Sequence, residues 1–468
     1  MGSALNASRL RSLPFAILLS AAFASAYASP QQEAGAAAAE ALPEQPSWKS
    51  RIWVSGQINL ITQLHSRFPA KYSGENSATA HGENVSSRLM SLYLGFHASK
   101  NTEFFATVES AGGGGIGSAL GIAGFTNVDV VRNPALGQKP YFGRYQVRHV
   151  IPLSGIATSQ EQGIFSLMQT LPPRRLEIRA GKFSAVDFFD VNAPGSDSHY
   201  QFMNWTAVNN GAFDYAADTR GYTKGVMLEY WDGPWTARFA EMLMPKVANG
   251  LELDWRLSKA HSEMFELERR HGWLGGGVLR GLSFLNHANM GNYAMAIAQA
   301  GAAPPDITAA RLAGRSKFGF GVNLEQKLPA SLRAFARLGW NDGRNESWAY
   351  TEVDGTIAIG GDIVPLPALR KLDKFGICYI ANSISQDHRR YLRAGGLGFL
   401  LGDGNLTYGR EKILEAYYNI HAVKGVYFGL GLQRIVNPGY NQDRGPIVVP
   451  SFRLHIELDR ENWSRKGS

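Results

Sequence analysis

Apolar and polar residues alternate strictly over residues 52–65, and this alternation constrains the fold more than any other feature. The even positions carry Ile52, Val54, Gly56, Ile58, Leu60, Thr62 and Leu64. The odd positions carry Trp53, Ser55, Gln57, Asn59, Ile61, Gln63 and His65. Successive side chains of a β-strand point to opposite faces, so the pattern predicts a strand with one apolar and one polar face. The same alternation recurs at 90–99 and at 450–458.

Weaker segments of the same kind bring the predicted total to sixteen strands. They are 103–109, 141–150, 175–183, 221–231, 235–243, 262–270, 278–287, 317–325, 332–341, 347–354, 375–383, 411–420 and 425–434. Turn sequences such as Asn341-Asp342-Gly343 and Asn437-Pro438-Gly439 separate many of them. The composition agrees, since 18% charged residues, 11% aromatics and 52 glycines are typical of β proteins and exclude disorder. An all-β fold follows.

Charged side chains stand in the middle of several predicted polar faces. They include Glu103, Glu109, Arg144, Arg148, Glu177, Arg179, Arg333 and Arg337. In a membrane barrel such side chains face a water-filled lumen, where they stay solvated. A secreted sandwich or propeller that exposes its polar face to bulk water explains them equally well. The pattern alone leaves both architectures open.

The first thirty residues predict export. Arg9 and Arg11 precede an apolar run, and Ala26-Tyr27-Ala28 matches the small-x-small pattern of a cleavage site. We therefore expect a signal peptide at 1–28, a flexible low-complexity leader at 29–47, a β-barrel domain at 48–458 and a polar tail at 459–468. The single cysteine, Cys378, excludes a disulfide framework. A formal charge of +8 without a basic block gives no support to nucleic-acid binding.

Motifs that would indicate catalysis or a metal are weak. His97 and Ser99 share one strand face, but no orienting carboxylate can be assigned to them. Asp187 and Asp190 lack the spaced oxygen donors of a calcium loop. We predict no enzyme activity, no cofactor and no metal.

Several motifs resemble one protein family in their order along the chain. They are Gly181-Lys182-Phe183, Asp187-Phe188-Phe189-Asp190, Gln201-Phe202-Met203-Asn204-Trp205 and the run from Ala212 to Thr223. Together they resemble the OprB-type carbohydrate-selective porins of Gram-negative outer membranes, over about 48–458. The resemblance implies a transmembrane antiparallel β-barrel of about sixteen strands. It also implies passive diffusion of mono- or oligosaccharides into the periplasm, in contact with outer-membrane lipid, by a monomer or a trimer. A secreted soluble sugar-binding protein and an outer-membrane barrel hydrolase are the alternative functions.

Strand parity selects the candidate sugar-binding residues of such a lumen. They are Glu109, Arg144, Arg148, Glu177, Arg179, Glu229, Arg238 and Arg453. Arginine and glutamate together offer donors and acceptors to sugar hydroxyls. Each of these residues is equally compatible with a solvated wall, or with an ion pair that holds a folded-in loop.

The region from Asp187 to Tyr222 is too long for a tight turn, so we expect it to fold into the lumen. Its aromatics Phe188, Trp205 and Tyr215 provide either a stacking surface for sugar or the packing of the loop itself. Lys224 departs from the pattern because the alternation places it outward. We expect it at the level of the lipid headgroups, where a charge costs less than at the midplane.

Overall fold

Sixteen antiparallel strands form a closed barrel in the computed structural model, which describes residues 51–133, 136–366 and 369–458. The barrel strands are β1 (Ile52–His65), β2 (Glu83–Ser99), β3 (Thr102–Gly113), β4 (Tyr141–Pro152), β7 (Arg174–Phe183), β8 (Thr223–Asp232), β9 (Trp235–Leu243), β10 (His261–His271), β11 (Gly277–Gly291), β12 (Arg311–Lys327), β13 (Arg333–Asn341), β14 (Gly355–Ile363), β15 (Lys374–Ser383), β16 (Glu411–Val423), β17 (Val426–Val436) and β18 (Ile447–Leu458). Two short strands, β5 (Thr158–Ser159) and β6 (Thr170–Leu171), pair separately. The predicted segments 1–28, 29–47 and 459–468 lie outside the described residues and stay predictions.

The first and last strands close the barrel. In β1, Leu60 lies opposite Arg88 of β2 on one side and opposite Leu454 of β18 on the other. Because each barrel strand has two antiparallel neighbours, the sheet has no edge with unpaired backbone groups. This is the condition for a sheet to lie in hydrocarbon, where water cannot satisfy N–H and C=O groups.

The predicted alternation is confirmed in β1. Leu60 on the apolar face is 38% exposed on the outer wall, whereas Asn59 beside it is fully buried inside. The same outward exposure holds for Leu92 and Leu94 in β2 and for Phe452 in β18. The barrel therefore has an apolar outside and a polar inside, the reverse of a soluble protein.

One predicted strand is wrong. Residues 347–354 form no strand, and the strand that follows β13 is Gly355–Ile363. The segment alternates small and aromatic residues, but Trp348 is fully buried within the barrel rather than facing lipid. Its backbone N–H groups bond to a carboxylate of another segment instead of to a neighbouring strand. Local periodicity cannot distinguish these two environments.

Long connections predominate at one end of the barrel and short turns at the other, where the connection 153–173 between β4 and β7 is an exception. Two-residue turns join β2 to β3, β8 to β9 and β16 to β17, whereas residues 184–222 join β7 to β8 and 384–410 join β15 to β16. The helices, Trp205–Val208, Tyr293–Gln299 and Gln386–Arg393, all lie in the long connections. Long loops are extracellular in outer-membrane barrels, so the ends can be called the long-loop end and the short-turn end. No helix in the described ranges is long and apolar enough to cross a bilayer.

Long connections fold into the barrel, and among them we call 114–133, 184–222 and 342–354 the inward segments. The prediction that the Asp187–Tyr222 region folds inward is confirmed by its contacts with the opposite wall. The N–H groups of Met203 and Asn204 donate to the Glu415 carboxylate of β16 at 2.7 and 3.1 Å. The N–H of Gly124 donates to Glu411 of the same strand at 2.7 Å. Inward-facing carboxylates of the wall thus hold the backbone of these segments.

Lys224 lies on the outer wall, on the same face as Val226 and Leu228. It is the second residue of β8, next to the long connection, and its ammonium group lies 4.8 Å from the centre of the Trp255 ring. Its place at the start of β8 and its contact with a tryptophan ring are both typical of the lipid headgroup level, as expected from the sequence.

A charge near the middle of β1 distinguishes its two faces. We expect Leu60→Arg to destabilise the inserted barrel by about 2–4 kcal/mol, the cost of an arginine on the lipid face near the midplane. Ser55→Arg is the matched control, because Ser55 faces the lumen. Refolding yield into phospholipid vesicles measures both. Equal yields for the two variants would contradict the assignment of faces.

Candidate functional site

A cavity of about 850 Å³ lies inside the barrel, along β1 to β4. Its wall includes Tyr141 and Arg220 near the long-loop end, and Trp53 and Glu457 near the short-turn end. The cavity therefore extends over most of the strand length. Inward segments form its other side, so both the barrel and the loops decide its shape.

Arg144, in β4, is the central cation of this cavity wall. Its guanidinium donates two hydrogen bonds to the Asp187 carboxylate, at 2.8 and 2.7 Å, and one to Glu109 at 3.2 Å. Asp187 is fixed by its own turn, because its side chain accepts the N–H of Ser184 at 3.1 Å in a capping box. The pairing of a strand arginine with a loop carboxylate fastens segment 184–222 to the wall.

Rings flank Arg144 on both sides. Its guanidinium carbon lies 4.9 Å from the centre of the Tyr222 ring and 5.6 Å from that of Phe165. The Tyr222 hydroxyl also donates to Glu109 at 2.7 Å. Arg144, Glu109, Asp187 and Tyr222 all line the cavity, which therefore offers charged donors, charged acceptors and ring faces within a short distance.

A second group of aromatic rings lies where the inward segments meet. The Trp205 and Tyr350 rings are stacked with centres 5.4 Å apart, and Tyr215 lies 4.8 Å from Tyr350. The Tyr350 hydroxyl donates to the backbone oxygen of Trp205. Sequence analysis selected Trp205 and Tyr215 but missed Tyr350, because that residue was placed in a strand. All three line the cavity, although each is largely buried by its neighbours.

Asp214 joins two inward segments. Its carboxylate accepts the N–H groups of Trp348 and Ala349, both at 2.9 Å, and lies 3.3 Å from the Lys317 ammonium of β12. Both charged side chains are almost fully buried. The Asp214 carboxylate thus joins segment 342–354 to segment 184–222 and to the barrel wall.

Five of the predicted sugar-binding residues form a buried ladder of ion pairs, which we call the charge belt. Arg148 contacts Glu103 and Glu177, both at 2.7 Å. Arg179 contacts Glu229 at 3.3 Å, and Arg238 contacts the same carboxylate at 2.9 Å. The belt continues through Glu266 and Glu268 to Arg280 and Glu325.

The belt is separate from the cavity wall. Arg148, Glu177, Arg179, Glu229 and Arg238 are absent from the described residues that line the cavity. The connection 153–173 between β4 and β7 covers part of the belt, since the N–H of Leu167 donates to Glu103 and the carbonyl oxygen of Phe165 accepts from Arg179. These contacts favour wall ion pairs, while a role of these five residues in sugar binding stays a prediction.

Contacts of Arg453 and Phe188 also fix segment 184–222 to the barrel wall. Arg453, in β18, donates to the carbonyl oxygens of Ser198 and Gln201. The Phe188 ring lies 4.7 Å from the Arg179 guanidinium and packs edge-on against Phe183. Neither residue is among those that line the cavity in the described ranges.

One charged pair of the cavity wall belongs to the loop alone. His199 Nδ1 and the Asp197 carboxylate are 3.1 Å apart. Burial lowers the pKa of His199, but the hydrogen bond with Asp197 and the negative charges of Asp129 and Asp197 together outweigh burial and leave that pKa above its ordinary value. Burial raises the pKa of Asp197, but the side-chain and backbone hydrogen bonds from His199, together with the positive charge of that ring, outweigh burial and leave the pKa below its ordinary value. Each of the two groups thus favours the charged form of the other.

A metal site is not evident in the part of the chain that the structure describes, where no group of three or more His, Cys, Asp and Glu side chains could hold an ion. The chemistry that the cavity offers is hydrogen bonding and ring contact.

A closed sixteen-stranded barrel with an apolar outer wall, and with loops folded into a polar lumen, defines a channel of the outer-membrane porin class. The chain belongs to the carbohydrate-selective porin family OprB, whose model matches residues 98–458. It is an outer-membrane sugar channel of the Gram-negative type. The first fifty residues of the expected barrel domain precede the matched range.

The chain is similar to solved structures of outer-membrane channels. The chain is similar to Pseudomonas putida OprB with a TM-score of 0.66 and 14% identity, over 88% of this chain and 95% of that one. The outer membrane channel DcaP of Acinetobacter baumannii matches with a TM-score of 0.46 and 11% identity, over 87% of this chain and 97% of that one. Among curated proteins, none matches the chain.

The contacts of Asp214 predict that the inward segments depend on it. We expect Asp214→Ala to lower the free energy of unfolding by about 3–5 kcal/mol, because it leaves the buried Lys317 without its nearest carboxylate. Conductance should rise as segment 342–354 loosens. Asp232→Ala is the control, since that carboxylate is half exposed and lies 3.6 Å from Arg174. Similar losses in both variants, measured by urea unfolding in vesicles, would contradict this role of Asp214.

Proposed function

We propose that sugars cross this channel through the 850 Å³ cavity and that Arg144, Glu109 and Asp187 form its main polar contact. The observation that carries the proposal is the extent of the cavity, whose wall has residues near both ends of the barrel. The function of the family, sugar diffusion, requires such a path.

The chemistry of Arg144 and its partners suits a neutral substrate. Sugar hydroxyls donate and accept, so a wall of one charge sign satisfies only part of their hydrogen bonds. Arg144 supplies donors, and Glu109 and Asp187 supply acceptors, in one cluster. Because these groups already bond to one another, a sugar hydroxyl replaces an existing hydrogen bond and does not satisfy a free donor or acceptor. Such exchange supports binding that is weak enough for release into the periplasm.

Ring faces supply the apolar half of the contact. Tyr93 and Phe165 line the cavity and are only partly buried, unlike Trp205 and Tyr215. We therefore assign the stacking role to Tyr93 and Phe165. Trp205, Tyr215 and Phe188 act mainly in packing the inward segments.

Two substitutions of Arg144 separate sugar contact from charge. We expect Arg144→Lys to keep the ion selectivity but to weaken sugar block of the current by about tenfold, since loss of a charged hydrogen bond costs about 1.5 kcal/mol. Arg144→Gln should weaken the sugar block and also shift ion selectivity toward cations. Planar-bilayer conductance with a panel of sugars measures both properties.

Arg148→Gln is the matched control. Arg148 lies on the same face of β4, four residues after Arg144, but belongs to the charge belt. We expect it to reduce barrel stability and to leave the sugar block unchanged in the channels that assemble. A loss of sugar block equal to that of Arg144→Gln would place the binding site in the belt instead.

Tyr93 tests the ring contact. We expect Tyr93→Ala to weaken the sugar block by about fivefold, the effect of losing an aromatic contact of about 1 kcal/mol. Tyr93→Phe keeps the ring and should stay within twofold of the original channel. If Tyr93→Ala has no effect and Trp205→Phe does, the stacking surface lies on the inward segments.

A further inference from the structure

A groove of about 370 Å³ opens on the outer wall of the barrel, across β12 to β15. Phe320, Leu338, Trp340 and Ile357 form its sides, and all four are exposed. The small outward residues Gly355, Ala381 and Ser383 also line it. Since this wall faces hydrocarbon, the groove is a gap in the surface that lipid covers.

The groove lies at the long-loop end. Trp340 is the next-to-last residue of β13 and Gly355 is the first of β14, and the long connection 342–354 joins them. Ser383 ends β15 at the same level. In an outer-membrane barrel this end is extracellular, so the groove opens to the outer leaflet.

Three cations flank the groove. Arg410 lines it directly, and Lys412 follows at the second residue of β16, opposite Ala381 of the groove. Arg434 of β17 lies opposite Leu414, which makes it a diagonal neighbour of Lys412. All three side chains are exposed, and none of them forms an ion pair among the described residues.

The surrounding wall offers these cations no acid. The acidic residues of strands β13 to β17 are Asp362, Glu411 and Glu415, and all three are buried on the inner face. Outward cations near headgroups are favourable when an anionic lipid supplies the opposite charge. The charge of this part of the wall is therefore complementary to a lipid phosphate.

We propose that this groove binds a phosphorylated lipid of the outer leaflet, with an acyl chain along Phe320, Leu338, Trp340 and Ile357 and a phosphate on Arg410, Lys412 and Arg434. The binding site is on the lipid side of the wall and is separate from the sugar path. A second copy of the chain fits less well, because the outward face of β13 to β17 carries no acid for the cations of a symmetric partner.

Native mass spectrometry of the detergent-solubilised protein tests the proposal, with bis-phosphorylated hexa-acylated lipid A as the probe and phosphatidylcholine as the comparison. We expect lipid A to remain bound and phosphatidylcholine to dissociate. The triple variant Arg410→Gln, Lys412→Gln and Arg434→Gln should weaken lipid A binding by about tenfold or more. Equal retention of the two lipids by the unmodified protein would overturn the proposal.

The matched control removes the same charge from the other end of the barrel, through Arg269→Gln, Lys327→Gln and Lys424→Gln. These residues are exposed and border the short turns after β10, β12 and β16. We expect lipid A binding within twofold of the unmodified protein. A loss equal to that of the first triple variant would mean that only net charge attracts the lipid, which overturns a defined site.

A groove-filling variant separates the site from an interface between copies. Ala381→Phe fills the groove and keeps all three cations, whereas Ile377→Phe, on the same face of β15, is the control. We expect only Ala381→Phe to reduce lipid A retention. If Ala381→Phe instead changes the oligomeric mass and leaves lipid retention unchanged, the groove is an interface and the lipid proposal is wrong.

Discussion

The pairing of β1 with β18 is the interaction on which the rest of the structure depends. Hydrocarbon leaves no water for a free sheet edge, so the chain has to return its last strand, Ile447–Leu458, to its first, Ile52–His65. Closure with sixteen strands produces a lumen wider than side chains alone can fill. The inward segments 114–133, 184–222 and 342–354 occupy part of this lumen and leave the cavity beside them.

Backbone inside a barrel needs hydrogen-bond partners that a strand ladder cannot provide. Glu411, Glu415 and Asp214 provide them, because each accepts two or more backbone N–H groups from an inward segment. Arg337 and Arg453 do the reverse and donate to loop carbonyl oxygens. The main role of charged residues on the polar face is thus to form hydrogen bonds with the backbone of the loops. Only those that remain at the cavity wall, such as Arg144, are placed to contact a solute.

The choice of a barrel over a sandwich came from the family resemblance. Alternation in the sequence predicted most of the strands and the face of their charged residues, because parity is a local property. It was insufficient to separate Arg144 from Arg148. Both face inward on β4, but their partners come from β3, from β7 and from the loop at Asp187, all distant in sequence. The same limit explains the wrong strand at 347–354, since Trp348 is buried by other segments and not by lipid. Tyr222 and Tyr350 escaped selection because their positions depend on the loop path, which no local pattern encodes.

The mixed origin of the polar cluster has a consequence for selectivity. Arg144 and Glu109 stand on the rigid wall, whereas Asp187 and Tyr222 stand at the two ends of segment 184–222. Charge balance at this point of the cavity therefore depends on the position of a loop and not on the strands alone. A substitution that shifts the loop removes Asp187, one of the two carboxylates that contact Arg144, and makes this part of the wall more positive, which suits anions better than sugars. The charge belt is unaffected by such a shift where its partners are strand residues, as with Glu229 and Arg238. The wall can thus keep its stability while the loop sets which solutes are favoured.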